Sequence, residues 1–202
     1  AVALGLLELY TATGERRWLD AAERLVESVR ERFADAERGG FFYTPADGEQ
    51  LIARHKELDD NPTPSGQSLM ATVLLRLSRL RGDRGMEEQA TAVLRLAEPY
   101  LERAAPALGQ VLCALEMQLS PPQEIAIVGP DDHPETPLLV AAARSGFHPN
   151  AVYAFGDGRS AEDLPLLEGK SLVDGLPAVY ICERFACRAP LTDPAAVAEA
   201  LA

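Results

Sequence analysis

The chain has 202 residues, 47% of them apolar and 25% charged, the proportions of a globular protein long enough to bury a core. Its net charge of −12 divides as 14 Lys/Arg against 19 Asp/Glu over residues 1–120 and 5 against 12 over 121–202. Neither part has the cationic stripe that binds nucleic-acid phosphates or an anionic membrane surface, and no apolar run approaches the ~20 residues needed to cross a bilayer.

No basic leader with an apolar core and cleavage site is present. The sequence opens at Ala1 inside a helical pattern, as expected of the C-terminal part of a longer protein. The first element is a helical pair. Leu6, Leu9 and Tyr10 precede Gly14, and then Trp18, Leu19, Ala22, Leu25, Val26 and Val29 keep helical spacing as far as Phe33. The connection over 35–64 is long and patterned. Gly39-Gly40 leads into Phe41-Phe42-Tyr43, then Pro45-Ala46-Asp47-Gly48 and Leu51-Ile52, which predicts a β-hairpin with Asp-Gly turn chemistry. A polar run from Arg54 to Asn61 follows.

A second pair is predicted over 65–81 and 86–103, turning at Gly82-Asp83. An offset of 68 lays it on the first: Leu6, Leu7 and Leu9 on Leu74, Leu75 and Leu77, Gly14 on Gly82, Trp18 on Met86, Ala22 on Ala90, Val26 on Leu94. Such pairs bury their apolar faces only by stacking on neighbours, and two are too few for a closed array. A fifth helix, 106–119, is expected to open at Pro106 and to carry Leu108, Val111, Leu112 and Leu115, with Cys113 on its apolar face as a small core residue.

After Pro121-Pro122 the pattern changes class. Strands are predicted over 124–128, 152–155 and 178–182, with helices over 135–145 and 194–201, and a β-α-β unit with a parallel pair is the economical arrangement. The expected fold is therefore mainly α: helical hairpins over 1–120 with an inserted β-hairpin loop at 35–64, then a small α/β segment over 121–202. Three cysteines, an odd and low count, argue against a disulfide framework and for a reducing, cytoplasmic compartment. Cys182 and Cys187 form a C-x4-C and are expected to be structurally buried.

Chemistry concentrates in 54–68. Ser65 stands where a helix N-cap belongs, and Gly66 permits close approach of a ligand to backbone N–H groups. Arg54, His55 and Lys56 supply cations or a proton shuttle, and Asp59 and Asp60 can pair as proton acceptor and orienter. The plainer reading of the same residues is a capped helix start beside a solvated charge cluster. His133 and His148, each followed by proline, read as loop residues without metal-ligand spacing. No dinucleotide or phosphate-binding loop and no nucleophile elbow is present, so no cofactor or metal is implied.

A wider resemblance rests on Leu7-x-x-Tyr10 with Gly14 and Trp18-Leu19, Gly39-Gly40-Phe41-Phe42, Arg54-x-Lys56-Glu57 with Asp60, Pro64-Ser65-Gly66-Gln67-Ser68, and Cys182-x4-Cys187-x2-Pro190. Together they resemble the C-terminal portion of the thioredoxin-domain-containing family that includes the spermatogenesis-associated proteins. The resemblance implies an N-terminal thioredoxin-like domain outside this chain. It also implies an α/α toroid like that of the N-acylglucosamine 2-epimerases and six-hairpin glycosidases, of which residues 1–120 would form part. Ligands of such toroids bind near inner-helix ends and long inter-hairpin loops, which here means 54–68.

Two functions follow as expectations. One is carbohydrate binding or processing, epimerase- or glycosidase-like, with His55, Asp59 and Asp60 in proton transfer and Arg54, Lys56, Ser65, Gly66 and Gln67 holding the sugar. The other is a non-catalytic scaffold positioning a thioredoxin-like domain or a protein partner. The expected partners are a sugar, the remaining hairpins and thioredoxin-like domain of a longer chain, and a second copy in a homodimer, but neither nucleic acid nor membrane.

Overall fold

The computed structural model describes residues 1–49, 52–158 and 163–202, which divide into two compact units. Residues 1–78 and 83–119 make up the first, and residues 79–82 and 120–202 the second. About half of the chain is helical, and a small four-stranded mixed sheet accounts for the β structure.

In the first unit, α1 (Val2–Thr13) and α2 (Arg16–Phe33) form one pair. Helices α3 (Gly66–Arg81) and α4 (Arg84–Ala97) form the next, followed by the short α5 (Leu101–Ala104) and by α6 (Gly109–Leu119). The two turns have the same mechanism. Gly14 ends α1 at φ 75° with its N–H on the Tyr10 carbonyl, and Gly82 stands at φ 64° after α3. Both are left-handed positions where a side chain would clash with the preceding carbonyl.

Equivalent residues of the pairs share their environments. Leu7 and Leu75 are both buried, as are Ala22 with Ala90 and Val26 with Leu94. Glu8 and Arg76, 68 residues apart, form an ion pair. The repeat breaks along one face: Leu6 is partly exposed and Leu9 is 42% exposed, while their counterparts Leu74 and Leu77 are 0% exposed, so α3 is covered on that face where α1 is open.

Several expectations for this unit are corrected. The segment after α2 forms no β-hairpin among the described residues; its first arm makes one isolated bridge, Ala34 to Phe41. The predicted partner Leu51 lies outside the described residues. Both backbone groups of Phe41 bond instead to the side-chain amide of Gln67, 26 residues on, which does the work of a neighbouring strand. Pro106 sits in a 3-10 turn, Ala105–Ala107, and α6 starts at Gly109. The buried face of α6 is Val111, Ala114 and Met117, which leaves Leu112 and Cys113 exposed.

The second unit contains β1 (Gln123–Val128), α7 (Thr136–Ala143), β2 (Ala151–Gly156), β3 (Ala178–Glu183), β4 (Ala186–Cys187) and α8 (Pro194–Leu201). The sheet order is β2-β1-β3-β4, with β1 parallel to β2 and antiparallel to β3. Ile125, Ile127, Val179 and Ile181 meet Leu139, Val197 and Leu201 in one core cluster. Cys182 and Cys187 are joined in a disulfide, which corrects the expectation of two buried thiols and of a chain without disulfides. The two are paired in register across β3 and β4, which brings their side chains together. Among the described residues no helix is long and apolar enough to cross a membrane.

Glycines of opposite role make the helix-pair geometry testable. Gly5 lies inside α1, and a Cβ there would meet nothing within 4 Å, so Gly5→Ala should stabilise the chain by roughly 0.5–1 kcal/mol. Gly14→Ala should destabilise it by roughly 1–2 kcal/mol, because alanine is forced left-handed. Urea unfolding of the two variants checks the opposite signs.

Candidate functional site

The described residues between α2 and α3 form neither helix nor strand, so their polar groups must be satisfied by side chains. Asp35 opens the segment. Its carboxylate accepts from the backbone N–H groups of Glu37 and Arg38 at 2.9 and 3.0 Å and pairs with Lys56 at 2.8 Å. Lys56 also donates to the Gly39 carbonyl, tying both ends of this turn to one ammonium. The Lys56 ammonium, then the Arg38 N–H, hold the Asp35 carboxyl at about 2, below its ordinary 3.8. Since the folded value is the lower one, the stabilisation is complete above 3.8 and is lost as the pH falls through about 2.

Arg54 lies over the Phe42 ring at 4.1 Å and donates to the Thr44 carbonyl through Nε at 3.2 Å and Nη2 at 2.5 Å. Lys56 lies 5.2 Å from the same ring. His55 is exposed and stacked on Tyr43, centroids 5.2 Å apart, and its carbonyl accepts from the Tyr43 N–H at 2.9 Å. Asp59 is exposed.

Asp60 is the hub. Its Oδ1 accepts from the Ser65 N–H at 2.9 Å and the Ser68 hydroxyl at 3.1 Å, while Oδ2 accepts from the Gln110 N–H at 2.7 Å. Its own N–H donates to the Ala107 carbonyl at 2.7 Å. Ser65 is the N-cap the sequence indicates, its hydroxyl accepting from the Ser68 N–H at 3.1 Å. Helix α6 has Leu108 where a capping side chain belongs, and Asp60 supplies the acceptor from fifty residues upstream.

These bonds frame a cavity of about 360 Å³ in the first unit. Its walls come from the starts of α1 and α3, the end of α2, and the aromatic run Phe41, Phe42 and Tyr43. Phe33 and Met70 add apolar surface, and Glu57 and Gln67 are its longer polar side chains. Of the residues expected to form a site, Gly66 and Gln67 line this cavity. Arg54, His55 and Lys56 stand behind its aromatic wall, Asp60 and Ser65 join the starts of α3 and α6, and Asp59 faces solvent. Glu57 and the three consecutive aromatics are the lining that sequence reasoning did not select as a site; the Phe-Phe-Tyr run itself was the available signal.

In the second unit, His133 Nδ1 accepts from the Glu135 N–H at 3.2 Å, and His148 Nε2 lies 2.7 Å from the Ser145 carbonyl oxygen. Both serve local loop structure. Among the described residues no group of three or more His, Cys, Asp or Glu gathers to hold a metal ion.

No family model matches the chain. It is similar to spermatogenesis-associated protein 20 of Homo sapiens, 32% identical over 198 residues, and to that of Rattus norvegicus, 33% identical over 198 residues. Each alignment takes in 96% of this chain and 25% of the relative. An uncharacterized protein of Caenorhabditis elegans is 27% identical over 191 residues, 92% of this chain and 25% of that protein. The chain thus spans a quarter of the length of the curated relatives it matches.

Replacing Asp60 separates a structural hub from a proton carrier. Asp60→Ala should cost roughly 2–4 kcal/mol in urea unfolding, because two helix starts lose their acceptor at once. A residue with only a chemical role would leave the unfolding midpoint where it is.

Proposed function

We propose that the first unit binds a carbohydrate ring in the cavity behind Phe42 and Tyr43, and that it is part of an α/α toroid completed by further helical pairs of a longer protein. The observation that carries this reading is the lining: consecutive aromatic rings beside Glu57 and Gln67 at the starts of two helices. Ring faces accept the C–H face of a sugar and the Glu57 carboxylate accepts from its hydroxyls, while the Gln67 amide, bonded to both backbone groups of Phe41, holds the aromatic wall in place. The volume of about 360 Å³ falls within the range of small-molecule sites. The Glu8–Arg76 pair between equivalent residues, together with the open face of α1 at Leu9, supports repeated pairs stacked side by side.

The reading is binding rather than proton transfer. Both oxygens of Asp60 are occupied by three donors, His55 is stacked on Tyr43 and Asp59 is exposed, and none of the three lines the cavity. In the longer protein a thioredoxin-like domain would accompany the toroid, and a cytoplasmic setting belongs to the same reading.

The alternative is a scaffold that positions such a domain, a protein partner or a second copy. It is favoured by two features: Arg54, Lys56 and Asp60 are engaged in holding backbone, and Val2 and Leu9 leave an apolar face on α1.

Calorimetry against a panel of aldoses and disaccharides, on this chain and on the longer protein, distinguishes the two. The binding reading expects heat from at least one sugar and roughly tenfold weaker affinity in Tyr43→Ala, about the value of one stacked ring. A folded protein silent across the panel would leave the scaffold.

A further inference from the structure

The second unit places three reactive groups in a row across one face of its sheet. Cys182 pairs in register with Cys187 on one side and with Glu124 on the other. Directly opposed residues of antiparallel strands project to the same face with Cβ atoms about 5 Å apart. Ile125 and Ile181 alternate to the opposite face, where α7 and α8 pack. Cys182 is 3% exposed and Glu124 2%, whereas Cys187 is exposed. The row therefore runs from an accessible sulfur, through a shielded one, to a buried carboxylate.

The turn between the cysteines is anchored independently of their bond. Arg184 and Phe185 occupy left-handed positions at φ 49° and 64°, and the Phe185 N–H donates to Glu124 Oε2 at 2.7 Å. The Phe185 ring packs at Gly82, where an added Cβ would stand 3.2 Å from it. These contacts leave the hairpin a reason to persist when the sulfurs part. A stapled hairpin alone would not need a buried carboxylate, which is costly to desolvate. Burial raises the Glu124 carboxyl above its usual range, opposed by the Phe185 N–H, Arg79 and Lys170 and assisted by Glu183. Tyr180 stands on the same face, its hydroxyl donating to the Ser171 carbonyl at 2.7 Å.

We propose that Cys182–Cys187 is a site of thiol–disulfide exchange, entered at Cys187 by a thiol, with Glu124 carrying the proton of Cys182. The incoming thiolate attacks Sγ of Cys187, and a new S–S bond forms as the Cys182–Cys187 bond breaks. The electron pair leaves on Sγ of Cys182, which takes the proton of the Glu124 carboxyl. A second thiolate attacks the incoming sulfur of the mixed disulfide and expels Cys187, which is protonated from water. Two thiols become one disulfide, and the protein disulfide becomes a dithiol. In the oxidising direction, the Glu124 carboxylate removes the proton from Cys182, whose thiolate then displaces the partner from Cys187. The co-reactant is a low-molecular-weight thiol or a protein dithiol.

The test uses the chain carrying Cys113→Ser, so that no other thiol reports. It is held in glutathione redox buffers across a pH series, and its state is read by alkylation and mass spectrometry. Expected are reversible exchange with the circular dichroism of the folded chain retained, a glutathione adduct on Cys187, and an inflection in the rate of reduction that Glu124→Gln removes while slowing the reaction several-fold. Reduction only in denaturant, an adduct on Cys182, or superimposable pH profiles for Glu124→Gln and the parent would overturn it. If Glu124→Gln does not fold, Cys182→Ser decides: a glutathione adduct at Cys187 of the native protein is expected, and an inert Cys187 refutes the site.

Discussion

A stretch of chain without helix or ladder must find partners for its backbone in side chains, and the first unit depends on how it meets that constraint. Four residues carry most of the load. Gln67 takes both backbone groups of Phe41, Lys56 ties Gly39 to Asp35, Arg54 holds Thr44, and Asp60 caps the starts of α3 and α6. The positions of these helix ends and of the aromatic run are set together, since each bond joins a loop residue to another segment. Buried polar groups of this kind are costly when one partner is lost, so the network orders the loop as a unit.

The cavity is a product of that order. Its aromatic wall would have no fixed shape on a free loop; it has one because cations sit over Phe42 and an amide grips Phe41 from α3. The polar residues of 54–65 therefore act mainly as the cavity's frame. What it encloses is apolar surface with one carboxylate and one amide. In the second unit a buried carboxylate serves differently. Glu124 stands beside a disulfide and holds the turn that joins its cysteines.

The helical pairs were legible because their signals are local: apolar residues at helical spacing, closed by glycines whose left-handed φ no other residue adopts as readily. The strands and the Ser65 cap were legible for the same reason. What escaped depends on long-range pairing. Nothing in the sequence says that Asp60 will cap a helix fifty residues on, or that Gln67 will stand in for the second arm of a β-hairpin. The face of α6 was misread because leucines outweighed Ala114 and Met117, which in fact pack inward. The disulfide was missed because its turn uses Arg184 and Phe185 at positive φ, without the glycine or asparagine that marks a two-residue hairpin.

The central claim is that a side-chain amide on α3 seats the aromatic wall of the cavity. Amide hydrogen exchange in Gln67→Leu tests it directly, since the Phe42 and Tyr43 N–H groups donate to Phe33 and His55, which the substitution does not touch. The account predicts that Phe41, Phe42 and Tyr43 lose protection together while α1 and α2 keep theirs. Loss confined to Phe41, with Phe42 and Tyr43 as protected as before, would contradict it.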